Sequence, residues 1–288
     1  MSGKGFPGFP GFSRRALLLG GGAVAVGACA PPEPAEPAPV APPVVPAPPT
    51  PVGPVTVDRV FSAARGTELD LVLITPEGVP AAELPVCLAL HGRGSSAKTF
   101  VDLGLPAKLT EAVRAGMPPF TVAAVDGANY WVAVDEADDP QRMLTGELPE
   151  WLTRRGLGLR TGGVPSAVMG ISMGAFGALR YARDHRDLRA AAAVSPALFV
   201  GWGDARSRKV FRDRAQWESH EPLLHADDTA PVPIGVWCGT QDPFAGAARR
   251  YIQAARPEVS RLAPGGHTEK YWKSVLPDVL RFVGDRVS

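Results

Sequence analysis

From Val55 onward, short apolar runs alternate with helical patterns at intervals suited to strand-helix-strand units, and this alternation restricts the possible folds more than any other feature of the chain. The predicted strands are Val55–Phe61, Leu69–Thr75, Val86–Leu90, Phe120–Val125, Ala167–Ile171, Ala191–Val194, Ile234–Trp237 and Val259–Leu262. The predicted helices are Lys98–Ala115, Gln141–Gly156, Met173–Asp184, Pro243–Ala255 and Thr268–Val283. Only Ala64-Arg65-Gly66-Thr67 separates the core of the first strand from the second, so these two read as an antiparallel hairpin. The later strands are apolar throughout and joined by helices, the pattern of parallel strands covered on both faces. The expected architecture is a three-layer α/β/α sandwich with a mostly parallel central sheet. Residues 55–288 read as one domain without an internal repeat, and Gly201–Pro231, rich in charge and Trp, is its only sizeable excursion.

The first 54 residues are of another kind. Lys4, Arg14 and Arg15 precede an apolar run, Ala16–Ala28, that is too short for an ordinary bilayer span, so residues 1–28 read as an export signal. Ser13-Arg14-Arg15-Ala16-Leu17-Leu18 resembles a twin-arginine signal, with Leu17 where that pattern usually has Phe, and the choice between this route and the general secretory one stays open. Val26-Gly27-Ala28-Cys29 resembles the lipobox of bacterial lipoproteins. That resemblance implies cleavage before Cys29, lipidation of its thiol, and anchoring on the outer face of the cytoplasmic membrane, where two or three acyl chains give a stable hold. The plainer alternative is a simple signal or membrane anchor with an incidental cysteine. Residues 29–54 are dominated by Pro, Ala, Val and Glu and read as an extended tether.

The formal net charge is +1 and no basic block follows the first fifteen residues, which excludes the electrostatic footprint of a nucleic-acid binder. Of the three cysteines, Cys87 and Cys238 fall in predicted strands that are not neighbours, so a disulfide between them is not expected. No Cys/His spacing suggests a metal site, and no cofactor is expected.

Gly170-Ile171-Ser172-Met173-Gly174 reads G-x-S-x-G between a predicted strand and a predicted helix. In that context a serine hydroxyl stands exposed on a sharp turn above the sheet, the place for a nucleophile. Such a serine needs a base, an acid to orient the base, and donors for the developing oxyanion. Of the five histidines, His267 lies in the loop after the last predicted strand, where an imidazole can reach over the serine; the alternative is a histidine packed on Trp272. His91 sits at the end of the third strand and reads as structural, His185 as solvated at a helix end, while His220 and His225 flank the excursion. Asp242, in the loop after Ile234–Trp237, is the candidate acid, against the alternative of a helix cap; Asp126 is the competing acid. Ser172, Asp242 and His267 follow the chain order of an α/β-hydrolase triad. The backbone N–H of Met173 and that of Arg93, with Gly92 next, are the expected oxyanion donors. Asp126, Asn129, Tyr130 and Trp131 are expected to line the substrate pocket.

The stretches LALHGRG, VDGANYW, GISMGAFGALRYA, VSPALF, WCGTQDPF and PGGHTEKYW, spread over residues 83–284, resemble the bacterial esterase family of α/β hydrolases, which includes esterase D-like enzymes and, more distantly, the antigen 85 mycolyltransferases. Ala175 stands where relatives commonly carry a further Gly, and Asp242 matches the esterases where the mycolyltransferases use Glu. The resemblance implies the α/β-hydrolase fold and a cell-envelope serine esterase acting on an ester substrate, such as an envelope lipid or glycolipid. Two alternatives stand beside it: acyl transfer to a sugar or lipid hydroxyl, and a non-catalytic envelope-binding lipoprotein.

Overall fold

Eight strands build one sheet in the order β1-β2-β4-β3-β5-β6-β7-β8 in a computed structural model that describes residues 54–160 and 163–287. The export signal, Cys29 and all of the tether before Pro54 lie outside the described residues. The strands are β1 (Val55–Ser62), β2 (Thr67–Ile74), β3 (Val86–Leu90), β4 (Thr121–Val125), β5 (Ala167–Ile171), β6 (Ala190–Val194), β7 (Ile234–Gly239) and β8 (Val259–Ala263). β1 and β2 form the expected antiparallel hairpin and β2 pairs antiparallel with β4, while every pairing from β4 to β8 is parallel.

The helices are α1 (Thr99–Asp102), α2 (Leu105–Arg114), α3 (Pro140–Arg142), α4 (Leu148–Thr153), α5 (Met173–Asp184), α6 (Trp202–Ser207), α7 (Arg214–His220), α8 (Ala245–Ala255) and α9 (Glu269–Val287). Alternate strand residues feed two separate cores, as period-two side-chain geometry requires. Leu88, Leu90, Val168, Ala191, Ala193 and Val236 pack with Phe176 and Leu179 of α5 and Tyr251 of α8. Cys87, Ala89, Ala167, Met169, Ala192 and Trp237 pack with Leu105 and Leu109 of α2 and Leu276, Val279 and Val283 of α9. The result is a three-layer sandwich of the α/β-hydrolase type. All positions of β3 to β7 are buried, which explains why their sequences are apolar but for Thr121 at the start of β4.

Several predicted helices divide differently. The run Lys98–Ala115 splits into α1 and α2 because Gly104 takes a left-handed conformation (φ 78°) ahead of Pro106. The run Gln141–Gly156 becomes α3, a π-helical turn over Met143–Glu147, and α4. The Gly201–Pro231 excursion carries α6, α7 and a 3-10 stretch, Pro222–Thr229. Cys87 and Cys238 are both free and buried, and β5 and β6 stand between their strands.

Because β3 to β8 run parallel, the loops after β3, β4, β5, β7 and β8 all emerge on one edge of the sheet. The chain leaves β3 for β4 on one side and returns to β5 on the other, and such a reversal opens a crevice at the carboxyl ends of the strands.

Candidate active site

Ser172 sits at that reversal, between the last residue of β5 and the first of α5, with φ 57° and ψ −117°. A left-handed φ is costly for any residue with a Cβ and persists only where the surroundings impose it. Here they do. A Cβ on Gly170 would overlap the Gly174 carbonyl, and one on Gly174 would overlap the Leu90 carbonyl of β3. The two glycines of the pentapeptide therefore let strand, turn and helix close on each other, and the Ser172 N–H is tied to the Val194 carbonyl of β6 at 2.9 Å. Ala175 is fully buried in the core, where its methyl is accommodated.

The Ser172 hydroxyl lies 2.8 Å from His267 Nε2, and His267 Nδ1 lies 2.8 Å from Asp242 Oδ2. The three residues thus form one continuous hydrogen-bond chain, assembled from the ends of β5, β7 and β8. The β7 and β8 loops are bound together by Thr240 N–H to the Ala263 carbonyl (2.8 Å) and Gln241 N–H to the Gly265 carbonyl (2.9 Å), which fixes Asp242 relative to His267. Asp242 is not the cap of α8, whose N-cap is Phe244: Oδ2 accepts from the imidazole, while Oδ1 accepts from the Phe244 N–H at 2.8 Å in the turn ahead of the helix. Burial raises the pKa of its carboxyl, but hydrogen bonds from His267, the Phe244 N–H and Ser195 outweigh that and hold it below the ordinary carboxylate value.

The imidazole of His267 is likewise packed as well as bonded. Trp272 stands edge-on to it at 5.3 Å and Phe244 tilts against it at 5.3 Å. The Trp272 indole N–H donates to Ser195 Oγ at 3.1 Å, so one residue after β6 braces the acid and is braced in turn by the ring beside the base. Sequence reasoning missed Ser195; its place directly after a strand on the same edge was the available signal.

The Met173 and Arg93 backbone N–H groups have no acceptor among the described residues, and both residues line a cavity of about 480 Å³. A Cβ on Gly92 would stand in ordinary contact with the Ser172 side chain, and the Gly92 carbonyl accepts from His91 Nδ1 (2.8 Å) and from the Ser95 N–H (3.3 Å). His91 Nε2 accepts from the Gly127 N–H at 2.9 Å. His91 therefore links the loops after β3 and β4, and burial lowers its pKa against the opposing hydrogen bond to Gly92, which keeps it neutral with Nδ1 as donor. This agrees with its structural reading.

Three expected pocket residues are corrected. Asp126 turns its carboxylate inward, accepting from the Asp70 N–H (2.9 Å) and the Ala97 N–H (2.8 Å), and so anchors loops. Trp131 is buried behind the loop, where Gly127 and Gly177 admit its ring and its edge meets His91 at 5.4 Å. Tyr130 packs on Phe176 at 5.3 Å and on Phe199 at 5.2 Å, contacts that stabilise the loop by about 0.5–1.5 kcal/mol each. The tight turn at Asn129, Tyr130 and Trp131, all with positive φ, sends both rings into the core. Asn129 alone of the four lines the cavity.

His220 and His225 do not join the site: His220 bonds Ser219, and His225 bonds Asp228 and the Glu218 carbonyl. His185 stacks on Tyr181 at 4.1 Å instead of standing free in solvent. Among the described residues no cluster of three or more His, Cys, Asp or Glu is placed to hold a metal ion. Neither the cavity of about 480 Å³ nor one of about 610 Å³ between Ala226–Ile234 and Gln253–Glu258 is lined by the three hydrogen-bonded residues themselves, but the smaller one is lined by Met173, which directly follows Ser172, so the chemistry is assigned to the strand-end site and not to the larger hollow.

The arrangement can remove a proton from a hydroxyl and stabilise negative charge beside it. Residues 62–283 match the family described as "Putative esterase". A search of the curated proteins gives no match. Among solved structures, a ferulic acid esterase superposes with a TM-score of 0.68 at 22% identity, covering 80% of this chain and 97% of the other. An S-formylglutathione hydrolase from Agrobacterium tumefaciens superposes with a TM-score of 0.66 at 17% identity over 81% and 95%. The fluorophosphonate-binding serine hydrolase F of Staphylococcus aureus superposes with a TM-score of 0.63 at 17% identity over 82% and 99%.

Proposed function

The chain belongs to the esterase family, and from that premise we propose that it is a cell-envelope serine esterase working through an acyl-enzyme on Ser172. The observation that carries the mechanism is the chain of two 2.8 Å hydrogen bonds from Ser172 through His267 to Asp242. His267 Nε2 takes the Ser172 proton as Oγ attacks the ester carbonyl, and buried, ionised Asp242 holds Nδ1–H and stabilises the imidazolium. The Met173 and Arg93 N–H groups receive the tetrahedral oxyanion, with Gly92 as the next donor in reach. Each such donor is worth about 3–4 kcal/mol of barrier. His267 then protonates the departing alcohol, and water activated by the same imidazole releases the acid.

Residues 1–54 carry the envelope part of the proposal: the lipobox-like Val26–Cys29 supplies the anchor and the proline-rich tether the distance from the membrane. The substrate expected there is an ester of the envelope itself, including lipid or glycolipid esters.

Ser172→Ala tests the chemistry. Turnover of a short p-nitrophenyl ester and labelling by a fluorophosphonate should both vanish, and persistence of both overturns the assignment. Labelling with a fatty-acid analogue tests the location, since the full chain should incorporate the label and Cys29→Ala should not; a full chain that takes up no label, or a variant that takes up as much, rules out anchoring through Cys29.

A further inference from the structure

Arg208 enters the site from the Gly201–Pro231 excursion, a segment without a recognisable motif. It follows α6 directly, and Lys209 after it takes a left-handed φ of 56° that turns the chain back toward the loops after β3 and β4. Arg93, Arg208 and Lys209 all line the cavity at Met173, and no Asp or Glu lines it. Among the described residues none of the three forms an ion pair.

The Arg208 guanidinium is instead held by aromatic faces, 5.7 Å from the Phe199 centroid and 5.3 Å from that of Phe244, the ring that also packs on His267. Its Nε is buried without a hydrogen-bond partner. A buried charged donor left unbonded is costly unless something that binds the protein satisfies it. The charge is also felt across the cavity wall: burial raises the Tyr130 pKa, and Arg208 and Arg93 both oppose that shift. Aromatic packing thus places a positive charge beside the site without neutralising it.

We propose that this cavity is an anion-selecting subsite: the preferred esters carry a carboxylate or phosphate on the half that enters it, bound by the Arg208 guanidinium with Arg93 in support. A guanidinium fork fits either oxyanion by paired charge-assisted hydrogen bonds. The inference rests on the esterase reading above and deepens it by naming the substrate class.

The test compares kcat/KM of the full chain on mono-p-nitrophenyl glutarate, p-nitrophenyl butyrate and the butyryl ester of 3-carboxy-4-nitrophenol, each divided by its uncatalysed rate. The charge then sits on the acyl half, on neither, or on the alcohol half. One anionic ester should exceed the neutral one by about ten- to a hundredfold, with the advantage shrinking as salt rises. Competition by glutarate and by phenyl phosphate identifies the favoured oxyanion. Arg208→Gln should remove most of the advantage. Arg208→Glu should invert it toward the p-nitrophenyl ester of 4-trimethylammoniobutyrate, a gain that a folding defect cannot produce. Equal efficiency on neutral and both anionic esters, or a ratio unmoved by both substitutions, overturns the proposal. Since each ratio is taken within one preparation, its failure is distinct from failure of the esterase reading, which would appear as ester turnover surviving Ser172→Ala.

Discussion

Gly174 lies so close to Leu90 that a Cβ on it would overlap the Leu90 carbonyl. The helix that follows Ser172 is thereby seated directly on β3, and the serine turn, the start of α5 and the Arg93 loop share one point of support. Gly174→Ala should destabilise the domain by about 1–3 kcal/mol through overpacking. It should also cut kcat by displacing the Arg93 N–H relative to Ser172. Urea unfolding midpoints and p-nitrophenyl ester kinetics check both, and a variant with wild-type stability would mean that the backbones separate at little cost.

Asp242 can be dissected because its two oxygens have different partners. Asp242→Asn keeps an acceptor for the Phe244 N–H but presents the wrong hydrogen-bonding group to one of its partners, so kcat should fall by on the order of 10⁴ with little loss of stability. Asp242→Ala should lose the same activity and about 1 kcal/mol of stability besides, the usual net worth of one hydrogen bond. Parallel kinetics and unfolding curves separate the two roles; equal stability losses in both variants would deny the Phe244 bond a stabilising part.

Ser195 helps to hold the Asp242 carboxyl below its ordinary pKa. Ser195→Ala should lower kcat/KM about fivefold, the value of roughly 1 kcal/mol. Because the acid then protonates more readily, the acid limb of the kcat profile should move to higher pH. A uniform drop without that movement would make Ser195 a packing residue only.

Glu221 is buried, accepting from Trp217 Nε1 (3.0 Å), the Phe199 N–H (3.2 Å) and the Leu223 N–H (3.2 Å), and burial pushes its pKa up to about 8 against those bonds. The folded chain holds this proton more tightly than the unfolded one. Its contribution to stability is therefore complete below the ordinary glutamate value of 4.5 and is lost as pH rises to about 8. The slope is at most about 1.4 kcal/mol per pH unit. In Glu221→Gln that slope should disappear from unfolding free energies measured between those limits; an unchanged slope would place the pH dependence elsewhere.

The sheet was legible because its signals are local and redundant: β3 to β7 are apolar at every position but Thr121, and Ala64–Thr67 leaves room only for a hairpin. Ser172, Asp242 and His267 were legible because each follows a strand, and parallel strands deliver such residues to one edge. What stayed hidden depends on side-chain direction. Tyr130 and Trp131 look like surface aromatics until the left-handed turn folds them inward, and Asp126 looks like a free acid until the Asp70 and Ala97 N–H groups claim it. α6 and α7 span 6 and 7 residues, too short to display helical periodicity, so Arg208 could not be assigned to the site from its neighbours.

Cys87 and Cys238 are held on separate strands of the sheet, each closed off from solvent. Nothing among the described residues needs an oxidant to complete it, so the catalytic domain reaches the same covalent state in a reducing compartment as in an oxidising one. Folding of the catalytic domain is then independent of the redox state of its surroundings, and thiol reductants should leave its unfolding curve where it is.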